Sequence, residues 1–72
     1  MSNATTAYQV GAEYAEQMFG ENCTEQVDVD RQMGSTQEIP DGDYCWMNDR
    51  GINPDSREYW RGYNDKMAEL SA

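Results

Sequence analysis

The 72-residue sequence contains no histidine, only two cysteines and only five basic side chains. Without histidine, Cys23 and Cys45 cannot complete the four soft ligands of a structural zinc site within one chain. The start of the chain has no basic or apolar region typical of a secretory signal, and no apolar run approaches the about 18 residues that span a bilayer. These absences predict a cytoplasmic protein with no membrane segment, in which both cysteines are free thiols; a disulfide between them is the alternative.

Signatures of catalysis and of metal binding are missing as well. Neither a Gly-x-Ser-x-Gly motif nor a phosphate-binding loop occurs, and so short a chain can hardly enclose a pocket that separates the pKa values of paired carboxylates. Two acidic segments begin like calcium loops, at Asp28 and Asp41, but Met33 and Trp46 stand where position six requires glycine. We expect no catalytic residue, cofactor or metal site; weak, unspecific cation binding by carboxylates is the alternative.

Acidic residues dominate the charge, since fourteen acids against five bases give a formal net charge of −9. The stretch from Glu13 to Asp30 holds six of the acids and no base, and all five bases follow from Arg31 onward. So negative a surface favours a basic protein partner and disfavours direct binding to nucleic acid or anionic lipid. The candidate partner-binding residues are these six acids and one aromatic anchor: Glu13, Glu16, Glu21, Glu25, Asp28, Asp30 and Trp46. The alternative is that the charges only keep the surface soluble.

Helical periodicity marks both ends of the chain. Apolar residues recur at spacings of three and four from about 6 to 19, with Thr5 or Thr6 as the N-cap and Gly20 as the left-handed residue that ends the helix. A second helix is predicted over about 54–70, with Asn53 as its N-cap and Pro54 at its first position. Its apolar stripe comprises Tyr59, Trp60, Tyr63, Met67 and Leu70.

Between these helices we predict a connector over 20–40 and a short helix over about 42–50. Val27 and Val29 alternate with acids, but no second alternating run offers a partner strand, so the connector is expected to be extended, acidic and mobile. Asp41 is the expected cap of the short helix, Tyr44 and Met47 its inward residues, and Gly51 its stop, with Ile52 folding back over it.

The resulting prediction is a single small all-α domain over 1–72, in which the two terminal helices pack on each other. Gly11 and Gly62 lie inside these helices, where each glycine costs on the order of 1 kcal/mol relative to alanine. A close approach of the two helices explains them best. The alternative is that one of them exposes backbone to a partner.

Two segments, Ala7–Gly11 (AYQVG) and Asn53–Pro54 followed by Tyr59–Tyr63 (YWRGY), resemble the small proteins similar to ribosome modulation factor. The resemblance implies a helix–linker–helix layout with an alanine/glycine-patterned first helix and a tryptophan–glycine–aromatic motif in the second. That family is basic and binds ribosomal RNA, whereas this chain is acidic, so the resemblance does not extend to ribosome binding. The size and charge are similar to those of small acidic bacteriophage proteins that disable host enzymes or defence systems.

Two functional hypotheses follow from the sequence. The first is a non-enzymatic inhibitor, encoded by a phage or mobile element, whose carboxylates imitate phosphates on the basic surface of a host nucleic-acid-handling or defence protein. The second is a structural or regulatory module that acts as a homodimer or through helix contacts. In that case Tyr14, Trp60, Tyr63 and Met67 would be buried against a partner helix.

Overall fold

The fold is all-α, as the sequence predicts, and its first and third helices pack on each other. It is given by a computed structural model that describes residues 5–27, 29–30, 34–35 and 38–72. Within these residues the helices are α1 (Ala7–Gly20), α2 (Asp41–Asp49) and α3 (Ser56–Ser71). Two strands of two residues each, β1 (Val29–Asp30) and β2 (Gly34–Ser35), form an antiparallel pair with Val29 opposite Ser35.

Helix α1 begins as predicted and ends differently. Thr6 and Gln9 form a capping box, in which the Gln9 backbone N–H donates to the Thr6 hydroxyl at 3.4 Å and the Thr6 N–H donates to the Gln9 side chain at 3.3 Å. The left-handed residue is Asn22 (φ 68°), not Gly20, which is the last residue of the helix. The Cys23 N–H then donates to the Met18 carbonyl, which completes a Schellman motif. Asparagine tolerates this backbone conformation, so the predicted glycine was not required.

Helix α2 stops where predicted but presents a different inner face. Gly51 (φ 71°) ends it, and Ile52 folds back, donating its N–H to the Met47 carbonyl at 2.9 Å. Met47 is fully buried, whereas Tyr44 is 47% exposed and does not face inward. Asp43 and Met47, which lie one turn apart, are on the inner face of α2. Tyr44 is rotated by about 100° around the helix axis from Asp43 and therefore lies off this face.

Neither predicted N-cap residue of α2 and α3 has that role. Pro40 precedes α2 without a side-chain cap, so Asp41 is the first helical residue and not the cap. Helix α3 begins two residues later than predicted, and Asp55 replaces Asn53 as its N-cap. The Asp55 carboxylate accepts two backbone N–H groups of the first turn, at 3.0 and 3.3 Å, which favours this start.

The crossing of α1 and α3 confirms the close approach predicted from the two helical glycines. A Cβ on Gly11 would lie 1.8 Å from the Tyr59 carbonyl oxygen, and a Cβ on Gly62 would lie 1.9 Å from that of Tyr8. Each glycine ends a Tyr-x-x-Gly segment, so each segment receives the tyrosine backbone of the other. Both glycines are buried, which rules out the alternative that they expose backbone to a partner.

An aromatic core fills the space around this crossing. Tyr14 packs against three rings of α3 with centroids 5.8–6.1 Å apart, and the Trp60 ring stands edge-on to Tyr59 at 4.8 Å. Leu70, the last residue of the predicted stripe, is only half-buried. The buried apolar residues are Ala7, Val10, Ala15, Ile39, Met47, Tyr59, Trp60, Tyr63 and Met67.

The first part of the predicted connector is hydrogen-bonded to α3. The Asn64 side chain accepts the Val27 N–H at 2.8 Å and donates to the Val27 carbonyl at 2.5 Å. The Tyr63 hydroxyl donates to the Glu25 carbonyl at 2.8 Å. Val29 also has the strand partner that the sequence did not reveal, because backbone pairing needs no alternating side chains. Residues 28, 31–33 and 36–37 of the predicted connector lie outside the described residues.

Candidate protein-binding surface

Four of the six predicted acidic residues form an exposed strip along α1 and the segment after it. Glu13 and Glu16 lie less than one turn apart on the exposed face of α1, Glu21 follows the helix end, and Glu25 lies beyond the Schellman motif. Glu25 fixes the segment through its backbone carbonyl, which leaves its carboxylate at the surface. We call Glu13, Glu16, Glu21 and Glu25 the acidic strip.

The side chains of the other two predicted acids cannot be placed relative to the strip. Asp28 lies outside the described residues, and Asp30 is described only by its backbone in β1. Among the described residues one base pairs with the strip: Lys66 Nζ lies 3.7 Å from Glu16 Oε1 and 3.5 Å from Glu69 Oε2. Both glutamates are exposed, so these ion pairs are screened by solvent and contribute little to stability.

Trp46, the predicted aromatic anchor, lies on the surface of α2 with 41% of its area exposed. The Arg50 guanidinium carbon stands 4.1 Å from the centre of the indole ring, which is a cation–π contact. Arg50 also donates from Nη1 to the Trp46 carbonyl at 3.2 Å. None of the ion pairs among the described residues involves Arg50.

The Trp46 ring lines two cavities. The larger is an open groove of about 800 Å³ between the start of α1 and the α2–α3 connection, where Arg50 and Ile52 are among the lining residues. The smaller, which we call the acidic pocket, has a volume of about 250 Å³ and lies between α1 and α2. Its lining residues are Val10, Glu13, Tyr14, Gln17, Asp43 and Trp46.

The acidic pocket joins two of the predicted residues, Glu13 and Trp46, and adds one that the sequence analysis missed. Asp43 is half-buried, and its Oδ2 accepts the Tyr59 hydroxyl at 2.6 Å. Burial of Tyr59, together with this hydrogen bond, raises the pKa of its phenol above the ordinary value. The spacing of Asp43 from Met47 and Trp46, four and three residues, was the available signal that it lies near both. Glu16, Glu21 and Glu25 do not line this pocket.

The exposed side chains of this surface are carboxylates and one indole ring. In the described ranges, no three His, Cys, Asp or Glu side chains are grouped so that they could hold a metal ion, and Cys23 and Cys45 are unpaired. None of the described helices is both long and apolar enough to cross a membrane. No family model matches the chain, and neither a curated protein sequence nor a solved structure matches it.

Proposed function

We propose that the protein is a non-enzymatic inhibitor that binds the basic surface of a nucleic-acid-handling or defence protein in place of nucleic acid. The observation that carries this proposal is the exposure of the whole acidic strip, which pairs with a single base, Lys66, among the residues that the structure describes. Glu13 and Glu16 are separated by about 4.5 Å along the α1 axis, and each strand of duplex DNA carries one phosphate per about 3.4 Å of helix axis.

The chain's net charge of −9 supports the same function. A field of this sign accelerates association with a basic surface and repels nucleic acid itself. We propose that the protein is encoded by a phage or mobile element and acts in the host cytoplasm, on the basis of its small size and acidity. The two segments that resemble the ribosome modulation factor family meet at the crossing of α1 and α3, so we propose that this likeness concerns the layout and not RNA binding.

The alternative of a homodimer formed through the aromatic stripe has no support from the packing. Trp60, Tyr63 and Met67 are buried within the chain, and Tyr14 packs against rings of α3. These side chains are therefore already covered without a second copy.

Charge reversal of the acidic strip tests the proposal. The strip variant changes three residues of the acidic strip to lysine: Glu13, Glu16 and Glu21. The control variant changes three exposed acids outside the strip to lysine: Glu38, Asp49 and Glu69. Each takes the formal net charge from −9 to −3, so the two differ only in where the charge changes. The measurement is capture of a partner from bacterial lysate at about 50 and about 200 mM salt, followed by competition with duplex DNA for that partner.

We expect the unmodified chain to capture a nucleic-acid-binding protein at low salt and to displace DNA from it. The strip variant should lose both activities, while the control variant keeps most of them. Equal binding by the two variants would contradict the role of the strip. A captured partner that binds no nucleic acid, or that still binds DNA with the chain attached, would contradict the proposed inhibition.

A further inference from the structure

The acidic pocket differs from the rest of the acidic surface because it is concave and has an aromatic wall. Glu13 and Asp43 are among its lining residues together with Trp46, and none of the described residues that line it is basic. Its volume of about 250 Å³ is below the range of about 300–1,000 Å³ typical of sites for whole small molecules. A pocket of this size and charge suits one long cationic side chain.

The Trp46 ring already binds a guanidinium group in this structure. Arg50 stacks on it at 4.1 Å from the side of the larger groove, and Arg50 does not line the acidic pocket. A guanidinium stacks on aromatic rings and pairs with carboxylates through planar, paired hydrogen bonds, which an ammonium group does less well. The indole and the Glu13 carboxylate together therefore favour arginine over lysine.

We propose that the acidic pocket accepts an arginine side chain of the basic partner, with the guanidinium against Trp46 and paired with Glu13. This inference rests on the proposed function and adds to it the side chain that the partner inserts. Asp43 contributes negative charge from the pocket wall while it accepts the Tyr59 hydroxyl. The acidic strip attracts the basic partner over a distance, and the pocket selects arginine over lysine, which has the same charge.

Titration with hexa-arginine and hexa-lysine peptides, both with blocked ends, tests the pocket at low ionic strength. Calorimetry gives the two dissociation constants. The indole N–H signals of Trp46 and Trp60 report the place of binding, because these are the only tryptophans. We expect the unmodified chain to bind hexa-arginine about fivefold more tightly than hexa-lysine. The Trp46 signal should move, and that of the buried Trp60 should not.

Matched variants separate the pocket from general charge. Trp46→Leu should abolish the preference for arginine, whereas Tyr44→Leu, an exposed aromatic residue of the same helix outside the pocket, should keep it. Glu13→Gln should weaken hexa-arginine binding more than Glu21→Gln, which removes the same charge from the strip. Circular dichroism confirms that each variant is helical.

Each outcome bears on a distinct claim. Suppose that both peptides bind, but that Trp46→Leu and Tyr44→Leu have the same preference for hexa-arginine, or that Glu13→Gln and Glu21→Gln lose the same affinity for it. Either result would overturn the arginine-binding role of the acidic pocket and leave the proposed function standing. If neither peptide binds to the unmodified chain at low salt, both are overturned.

Discussion

Replacing Gly11 by alanine tests the helix crossing that holds the fold together. The new Cβ would lie 1.8 Å from the Tyr59 carbonyl oxygen and 2.7 Å from its carbonyl carbon. These are backbone atoms of α3, which cannot rotate aside as the end of a side chain does. Real Cβ contacts are essentially never closer than 3.0 Å, so the helices must separate by at least about 1.2 Å.

The cost follows from two opposing effects. Overpacking a core costs about 1–3 kcal/mol or more, and a rigid backbone contact puts Gly11 at or above the upper end of that range. Alanine returns about 1 kcal/mol through its better helix propensity. We expect a net loss of about 2–3 kcal/mol in the free energy of unfolding. For a domain of this size that lowers Tm by about 10–20 °C.

Thermal melting followed by circular dichroism measures this loss, with Gly20→Ala as the matched control. Gly20 belongs to the same helix, but its Cβ would meet nothing within 4 Å, so alanine there should leave Tm unchanged or raise it. Gly62→Ala should lose about as much as Gly11→Ala, and the double variant less than the sum, because the helices separate only once. A Gly11→Ala chain that melts at or above the Gly20→Ala control would refute the close crossing.

Two further predictions concern the segment attached to α3. Asn64→Ala should lower the free energy of unfolding by about 1–2 kcal/mol in urea titrations, since it removes both hydrogen bonds to Val27. The exposed Asn48→Ala is the control, and an equal loss there would contradict the attachment. Burial, with the contact to Cys23, raises the pKa of Tyr63 from 10.0 to about 12, so folding favours the neutral phenol. That stabilisation is present below pH 10 and is lost as the pH rises through about 12, so Tyr63→Phe should reduce the alkaline loss of stability. An unchanged slope of stability against pH would argue against it.

The helix ends show how far local sequence patterns suffice. Gly51 was predicted because it has the chemistry that its position requires and no rival nearby, whereas Thr6 was one of two predicted caps and is the one that the structure shows. The errors arose where two suitable residues stand close together, as with Gly20 and Asn22 or with Asn53 and Asp55. Propensity alone does not separate such neighbours, and the packing of the chain beside each helix end decides between them.

The site was harder to predict than the fold because it depends on how distant segments dock. Exposure of Glu13 and Glu16 follows from helical periodicity alone, since the opposite face of α1 carries the apolar residues. The meeting of Glu13 with Trp46 requires α2 to lie beside α1, and nothing in either segment encodes that placement. The same holds for Asn64, whose amide matches the backbone of Val27 only after the connector returns to α3.

The acids of this chain divide into those that hold the fold and those that do not. Asp55 caps α3, Asp43 accepts the Tyr59 hydroxyl, and Asp65 accepts that of Tyr8. The carboxylates of the acidic strip have no such role: within the described ranges only that of Glu16 has a partner, through a screened pair with Lys66. In the part of the chain that the structure describes, no charged residue is buried. Reversing the strip should therefore relieve repulsion without opening the core, and a loss of binding in that variant can be attributed to the surface.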